Sequence, residues 1–375
     1  MGTVAKKSVL LLDSLAGNRG HLIDDDLFLS KCIAPLADDF LIASSPTSIA
    51  NLQDTLDVST YRLHSDANRS WFTRARLFRI ICSLPCANYE HIVFQSFEEI
   101  STLLFMLLHP SKHIHIIVTN NLRPDRLQRH PQLGAFFLRQ IFFRAASVIV
   151  HSQHEVQKVV NLVPGINPQN IFVKPFHKIS QRHEQAPALN QRNRTILFLG
   201  PEFTHKKIDP VLELIKRDQL NRYQYQFCSM EGIPDELQTL SEKQDNIEVL
   251  QGYISDRRYY QLFRESSLII LTHDHNYEGV LSGAFCDAMA SGTPVISRKI
   301  APVTEYFEQY GPLGFIVDFD EPSWFEKVLE ANIENEYPTF QKNIALLRDS
   351  CNIESIRDVF RKVLRDNAPR QLRAA

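Results

Sequence analysis

No apolar stretch of the chain approaches the roughly 18–20 residues needed to cross a bilayer. At the start, Lys6-Lys7 is followed only by Val9-Leu10-Leu11-Leu12 before Asp13, too few apolar residues for a secretory signal. The expectation is a soluble, cytoplasmic protein, at most peripheral to a membrane. Charge of one sign is also missing: 41 basic residues face 43 acidic ones for a net charge of −2, so nothing points to nucleic acid as a partner. The six cysteines are scattered, and only Cys82 and Cys86 are close, with no second pair and no histidines at zinc spacing. They read as buried free thiols in a reducing compartment. Ser152 lacks a Gly-x-Ser-x-Gly elbow, which excludes a nucleophile of that kind, and it fits the N-cap of the helix QHEVQKVV. After the first strand there is no three-glycine fingerprint with a downstream ribose-binding acid, which argues against a nicotinamide-dependent oxidoreductase.

What is present is an ordinary globular composition, 44% hydrophobic and 22% charged, in a chain long enough for two domains. Residues 8–12 read as a buried strand running into a loop with Gly17 and Gly20. Further strands are expected at 40–43, 91–94, 114–118 and 147–150, with helical periodicity between them, notably over 97–108 and 127–145. A strand at 171–175 closes this half, and the polar segment 178–194 reads as a linker. The pattern then restarts, with strands at 195–200, 223–228, 247–250, 268–271, 294–297 and 315–317. Helices fit 208–217, 256–265, 280–290 and 322–332, and a polar helix near 354–365 ends the chain. Strands alternating with helices predict α/β domains with mostly parallel sheets. The expected division is 1–180, 191–350 and a C-terminal helix within 351–375 packing back toward the first domain.

One stretch concentrates the chemistry, from His273 to Ile296. An apolar strand ends in the polar loop His273-Asp274-His275-Asn276-Tyr277-Glu278-Gly279. Leu281, Ala284, Phe285, Ala288 and Met289 then recur at helical spacing, Gly292 ends the helix, and Pro294-Val295-Ile296 starts another strand. Such a loop lies at the C-terminal edge of a sheet, where open α/β proteins bind ligands, and a helix N-terminus there suits a phosphate. A carboxylate beside it suits hydroxyls, so a phosphorylated sugar or a nucleotide is implied. The segment GPEFTHKKID, from Gly200 to Asp209, sits at the first strand-to-helix turn of the second domain and offers Lys206 and Lys207 to a diphosphate. His113 and His115 alternate on one strand face and read as structural, ahead of Asn120-Asn121. Arg69, Arg74, Arg76 and Arg79 interleave with Trp71, Phe72, Leu77, Phe78 and Ile80, a basic amphipathic pattern that fits either core packing or an anionic membrane surface.

The run NYEGVLSGAFCDAMASGTPVI, with Glu305 and GPLGFIVDF, resembles the C-terminal signature of retaining GT-B-type glycosyltransferases, family 4 and its relatives. The resemblance extends through TILFLGPEFTHKKID and NIEVLQGYISDRRYYQLFRESSLIILTH, and more loosely through FFRAASVIVHSQHEVQKVV, over about half the chain. It implies two Rossmann-like domains facing a cleft, with a nucleotide sugar held mainly by the second. On this resemblance Glu278 and Lys206 are the catalytic candidates: Glu278 would contact donor-sugar hydroxyls and Lys206 would pair with phosphate. The N–H groups of Gly279, Val280 and Leu281 would face the diphosphate and Asp287 the ribose diol. Gly200, Lys207, His273 and Asn276 complete the donor-binding set, and Gly17, Gly20 and Asn121 are acceptor-side candidates. No metal and no cofactor are implied. The chain departs from the family in three places. Glu278 and Asp287 are nine positions apart, one more than in the family, and the second acid is Asp; Gly200-Pro201 stands where the family has Gly-Arg; and Asn120-Asn121 lies where a first-domain histidine is common.

The leading expectation is therefore a glycosyltransferase moving a sugar from a nucleoside diphosphate to a glycan or lipid-linked acceptor, with retention, in cell-surface polysaccharide or glycoconjugate synthesis. Peripheral contact with an anionic membrane at the inner face of the cell goes with it. The alternatives are a catalytically degenerate scaffold that binds nucleotide sugar or a glycan partner, and a sugar-nucleotide epimerase of the same fold.

Overall fold

The computed structural model describes residues 7–13, 22–63, 78–79, 81–119, 121–122, 131–176, 187–199, 206–229, 232–280 and 282–365. The chain forms two compact units, Met1–His177 with Asn352–Ala375, and Lys178–Cys351.

In the first unit seven strands, β1 (Ser8–Asp13), β2 (Asp39–Ser44), β3 (Ser59–Arg62), β4 (His91–Ser96), β5 (His113–Ile117), β6 (Ser147–Val150) and β7 (Ile171–Val173), pair in parallel in the order β3-β2-β1-β4-β5-β6-β7. The central strands are apolar almost throughout because both faces are covered. Leu10, Leu12, Ile92, Phe94, Ile116 and Val148 point to one core. Val9, Leu11, Val93, Ile117 and Ile149 point to another. Helices α1 (Leu22–Ile33), α2 (Pro46–Gln53), α3 (Glu99–Leu108), α4 (Pro131–Arg144) and α5 (Gln153–Leu162) connect them. α3 starts two residues later than its periodicity predicts, because the Glu98 side chain caps it by accepting the Ser101 N–H. Ser152 caps α5 in the same way, as expected. The edge strand β3 was not expected; its half-exposed Ser-Thr-Tyr-Arg has no apolar run.

The second unit has six parallel strands, β8 (Asn193–Leu199), β9 (Gln224–Ser229), β10 (Ile247–Gln251), β11 (Ser266–Leu271), β12 (Val295–Arg298) and β13 (Gly314–Val317), in the order β10-β9-β8-β11-β12-β13. Its helices are α6 (Asp209–Arg217), α7 (Asp235–Lys243), α8 (Asp256–Glu265), α9 (Gly283–Ala290), α10 (Val303–Tyr310), α11 (Glu326–Leu329) and α12 (Ile333–Ser350). The helix expected at 322–332 shrinks to the single turn of α11. The long α12 that follows was missed because Pro338 lies inside it, although Ile333, Tyr337, Phe340, Ile344 and Leu347 are buried along one stripe. Gly314 opens β13 at φ +138°, and a Cβ there would meet the Val295 carbonyl oxygen at 2.0 Å, so only glycine fits. From this unit the chain returns to the first: α13 (Ile353–Val363) packs against α1, burying Ile356, Phe360 and Val363.

The segment expected as a linker is partly structural. Arg192 is buried, and its guanidinium donates to the carbonyls of Phe263 (3.1 Å) and Ser266 (2.8 Å) at the end of α8, and of Ser291 (3.2 Å) and Gly292 (3.0 Å) at the end of α9. It also bonds the Thr293 hydroxyl and the Pro187 carbonyl. The cation thus satisfies the last carbonyls of two helices and faces the negative ends of both dipoles.

In the first unit His113 and His115, which the sequence reads as structural, lie beside a further histidine, His91. His91 and His115 share a hydrogen bond of 3.0 Å, His115 bonds the Ser147 hydroxyl at 2.8 Å, and the His113 ring lies 5.1 Å from that of His91. Burial, then the neighbouring His91 and His113, hold His115 well below the usual histidine value, so it is neutral when folded.

Two outcomes follow from these buried groups. Unfolded His115 takes up a proton near its ordinary value of 6.5 while the folded residue does not, so the first unit loses stability as pH falls through about 6.5. The drop in melting midpoint between about pH 7 and pH 5 shrinks in His115→Asn; an unchanged drop contradicts this. Arg192→Met takes the guanidinium away from the Ser266, Ser291 and Gly292 carbonyls, the Phe263 carbonyl keeping the Thr293 hydroxyl, and costs the second unit about 3–5 kcal/mol. With Trp71→Phe as background, Trp324 fluorescence in urea reads that unit alone; an unmoved midpoint rejects the account.

Candidate functional site in the second unit

Strand order reverses at β8, which pairs with β9 on one side and β11 on the other. In open α/β sheets a crevice forms outside the carboxyl ends of the two strands at such a switch point, because the helices after them lie on opposite faces. Here the two chain segments leaving β8 and β11 are joined. Lys206 forms an isolated antiparallel bridge with His273, and the Lys207 N–H donates to the Thr272 carbonyl at 3.1 Å. The Lys206 ammonium turns back to the Leu199 carbonyl at the tip of β8, 2.8 Å away. The structure therefore brings Lys206, Lys207 and His273 to one place; Gly200 lies outside the described residues.

The loop from His273 to Val280 is pinned at several points. His273 is 2% exposed, with its ring stacked on Tyr277 at 4.2 Å, so it organises the loop from inside. Glu278 is half-buried and its Oε1 accepts the Ala301 N–H at 3.0 Å, while the Gly279 N–H donates to the Ala301 carbonyl at 2.9 Å. Gly279 stands at φ +80°, a conformation that glycine tolerates. The Val280 N–H donates to the Tyr277 carbonyl at 3.0 Å. The N–H groups of Gly279 and Val280 are thus taken by carbonyls, contrary to the expectation that they face a diphosphate. Leu281 lies outside the described residues, as does the side chain of Asn276, whose backbone belongs to a short 3-10 turn.

The helix that follows begins later than expected, at Gly283, because Ser282 caps it by accepting the Phe285 N–H. The N–H groups of Gly283 and Ala284, its first two, have no hydrogen-bond partner among the described residues. The anion-binding end of the element therefore sits at Gly283 and Ala284. Asp287, one turn in and 3% exposed, accepts a hydrogen bond of 3.1 Å from the Tyr259 hydroxyl of α8. Burial, then the Asp287 carboxylate, push the Tyr259 phenol well above its ordinary value, which keeps it a neutral donor. Gly292, at φ +67°, ends α9 as the sequence indicated.

A third segment braces the loop. Arg298 closes β12 with a buried guanidinium that reaches His275 Nε2 at 2.8 Å, Asp320 Oδ2 at 2.5 Å and Asp318 Oδ1 at 3.3 Å. The hydrogen bond from Arg298 holds the Asp320 carboxyl down at about 2. Neither Tyr259 nor Arg298 was singled out from the sequence. Tyr259 could have been found as the inward position of an amphipathic helix facing Asp287; Arg298, the first of two adjacent charges and the last residue of a buried strand, was the plainer signal.

Of the remaining candidates, Asn121 belongs to the first unit, where it is buried and donates to Glu99 Oε1 at 3.0 Å. Gly17, Gly20 and the basic pattern from Arg69 to Ile80 lie outside the described residues, apart from Phe78 and Arg79. The first unit has its own reversal, between β1 and β4. There Asp13 accepts from the Ser96 hydroxyl and Asp26 from that of Ser44, and burial followed by the Asp13 charge raises Asp26 well above the carboxylate range. Among the described residues no three His, Cys, Asp or Glu side chains stand together as metal ligands.

Residues 180–345 match the family described as "Glycosyl transferases group 1". Among solved structures, Anabaena Alr3699/HepE in complex with UDP resembles the chain with a TM-score of 0.69 at 14% identity, over 95% of this chain and 99% of that one. A glycosyltransferase from Rickettsia africae ESF-5 gives 0.66 at 14% identity, over 96% and 99%. The α,α-trehalose 6-phosphate synthase from Burkholderia multivorans gives 0.64 at 11% identity, over 96% and 98%. These likenesses show the fold, that of the GT-B glycosyltransferases. No curated protein sequence matches the chain.

Proposed function

Residues 180–345 match the group 1 glycosyl transferase family, and from that likeness we propose that the protein transfers a sugar from a nucleoside-diphosphate donor to a glycan or lipid-linked acceptor. The observation that carries the reading is the Lys206–His273 bridge, which gathers a cation, the Glu278 loop and the start of α9 at the switch point of the second sheet. A diphosphate needs donors and positive potential, supplied by Lys206 and the N–H groups of Gly283 and Ala284. Glu278 takes hydroxyls of the donor sugar. Asp287, oriented by Tyr259, takes the ribose diol. The anomeric C–O bond to the diphosphate breaks, a C–O bond to the acceptor hydroxyl forms, and the hydroxyl proton leaves. The protein's part is to stabilise the charge growing on the departing diphosphate. That HepE has been solved with UDP-glucose supports a nucleotide-sugar donor of this kind.

Retention of anomeric configuration, a place in cell-surface polysaccharide or glycoconjugate synthesis, and work at the inner membrane face complete the proposal. Gly17, Gly20 and Asn121 remain its acceptor-side candidates, with the first unit as the acceptor domain. One observation favours a second reading, a scaffold that binds nucleotide sugar without turnover: Glu278 and the N–H groups of Gly279 and Val280 are already engaged with protein.

A panel of nucleotide sugars, first by thermal shift and then by donor consumption with and without acceptors, separates these readings. The proposal expects a stabilising donor and turnover, with kcat/KM lowered about a hundredfold in Glu278→Ala, Lys206→Ala or Asp287→Ala. Binding without turnover on any acceptor selects the scaffold, and variants as active as the wild type remove the site assignment.

A further inference from the structure

The second sheet has an edge that the described residues leave open. β13 pairs with β12 on one side and, among the described residues, with no strand on the other. In a parallel pair alternate residues give their backbone groups to the neighbour. Here the Val295 N–H donates to the Leu313 carbonyl, so Leu313, Phe315 and Val317 serve β12, while Gly314 and Ile316 turn their backbone groups outward. No described residue accepts from the N–H of Gly314 or Ile316, and the Ile316 carbonyl takes the Lys327 ammonium at 2.8 Å. Such a row of outward backbone groups is a template for an added strand.

Against this edge lies a cavity of about 420 Å³, formed within the second unit. That is inside the range of roughly 300–1,000 Å³ found for binding pockets. Gly314, Phe315 and Ile316 form part of its lining, and Phe307 of α10 and Phe340 of α12 add aromatic surface.

Charge selects the occupant. From Ala301 to Gln341 Lys327 is the only base among nine acids, although the whole chain is near balance with 41 bases and 43 acids. Arg298 holds Asp318 and Asp320, and Arg194 holds Glu334. Glu326, Glu330 and Glu336, which also line the cavity, are exposed, and their carboxylates have no hydrogen bond or ion pair among the described residues. The one base beside them, Lys327, is turned to the strand. A second copy joined edge to edge would set these carboxylates against their own kind, and an anionic surface would be repelled. A strand carrying Lys or Arg is attracted, and apolar side chains beside its cations meet the aromatic lining.

We propose that the β13 edge and its cavity are a docking site for an extended peptide segment of a partner protein that alternates Lys or Arg with apolar residues. The segment adds to the sheet as a seventh strand, its carbonyls accepting from the N–H groups of Gly314 and Ile316. Its apolar side chains fill the cavity against Phe307 and Phe340, and its cations pair with Glu326, Glu330 and Glu336. This surface is separate from the donor site and does not depend on the reaction proposed above.

The probe is a fluorescein-labelled heptapeptide of alternating Lys or Arg and Val, capped at both ends, titrated into the full-length protein and read by anisotropy. Its comparisons are the same peptide with Glu for every base, the same peptide with every backbone nitrogen methylated, and unlabelled spermidine as competitor. The basic peptide is expected to bind, more weakly as salt rises, and to slow hydrogen exchange at Gly314 and Ile316. The acidic and the methylated peptides should bind about tenfold more weakly or worse. The triple variant Glu326→Gln, Glu330→Gln and Glu336→Gln should lose a similar factor, with unchanged melting midpoint and unchanged response to nucleotide sugars. Ile316→Pro, which removes one outward N–H at an edge position, should do the same; if that variant does not fold, the methylated peptide decides the strand pairing. Absence of binding overturns the proposal, as does equal affinity for the wild type and the triple variant. Equal affinity of the methylated peptide removes the added strand, and displacement by spermidine at the peptide's own concentration assigns the rim to small polycations; each overturns the proposal. Donor binding is read separately, in the nucleotide-sugar panel.

Discussion

Arg192 brings a full positive charge into the interior of the second unit with no carboxylate partner among the described residues. Removing a guanidinium from water costs several kcal/mol, and at this site the compensation comes from backbone. The carbonyls that accept from it end α8 and α9, where four such groups per helix lack partners and the dipole is negative. One cation thereby fixes the far ends of two helices against the start of β8. α9 has eight residues and is about 12 Å long. With its C-terminus held, the position of its N-terminus, at Gly283 and Ala284, and of Asp287 along it are set by a rigid element rather than by the loop before it. Tyr259 rises from α8, the other helix that Arg192 secures, and reaches Asp287. The guanidinium burial even lowers the Arg192 pKa, a sign of how much solvation has been given up there.

What these helices position is an edge where three segments converge. The chain leaving β8 is bridged to the chain leaving β11, the Glu278 loop is bonded to Ala301, and Arg298 reaches back to His275 from the end of β12. Each tie uses a group that could otherwise meet a ligand, so the loop is ordered at the expense of donors and acceptors. Among the described residues the helix still offers the N–H groups of Gly283 and Ala284. Between Glu278 and Asp287 the helix begins only after Ser282, at Gly283.

Much of the architecture was legible because parallel strands covered on both faces read as apolar runs, and all but the polar edge strand β3 stood out. The loop–helix–strand unit around Glu278 was legible for the same reason, with Gly292 marking its end. The exceptions are instructive. Arg192 looked like part of a linker, since a charge in a polar stretch gives no sign that distant carbonyls will close around it. α12 was obscured by Pro338, whose cost is met by five buried side chains. The hydrogen bond from the Gly279 N–H to the Ala301 carbonyl, more than twenty residues away, has no local signal. Periodicity over 97–108 indicated a helix and not which of its leucines would be covered.

The central claim is that a nucleoside-diphosphate sugar is held at the switch point of the second sheet, against the start of α9. Hydrogen exchange on the full-length protein, with and without the nucleotide sugar that raises its melting point most, tests this directly. The account predicts slowed exchange at Gly283 and Ala284 and in the segments around Lys206 and from His273 to Val280, with the β10 side of the sheet unchanged. Slowed exchange confined to other segments while the ligand is bound would contradict it.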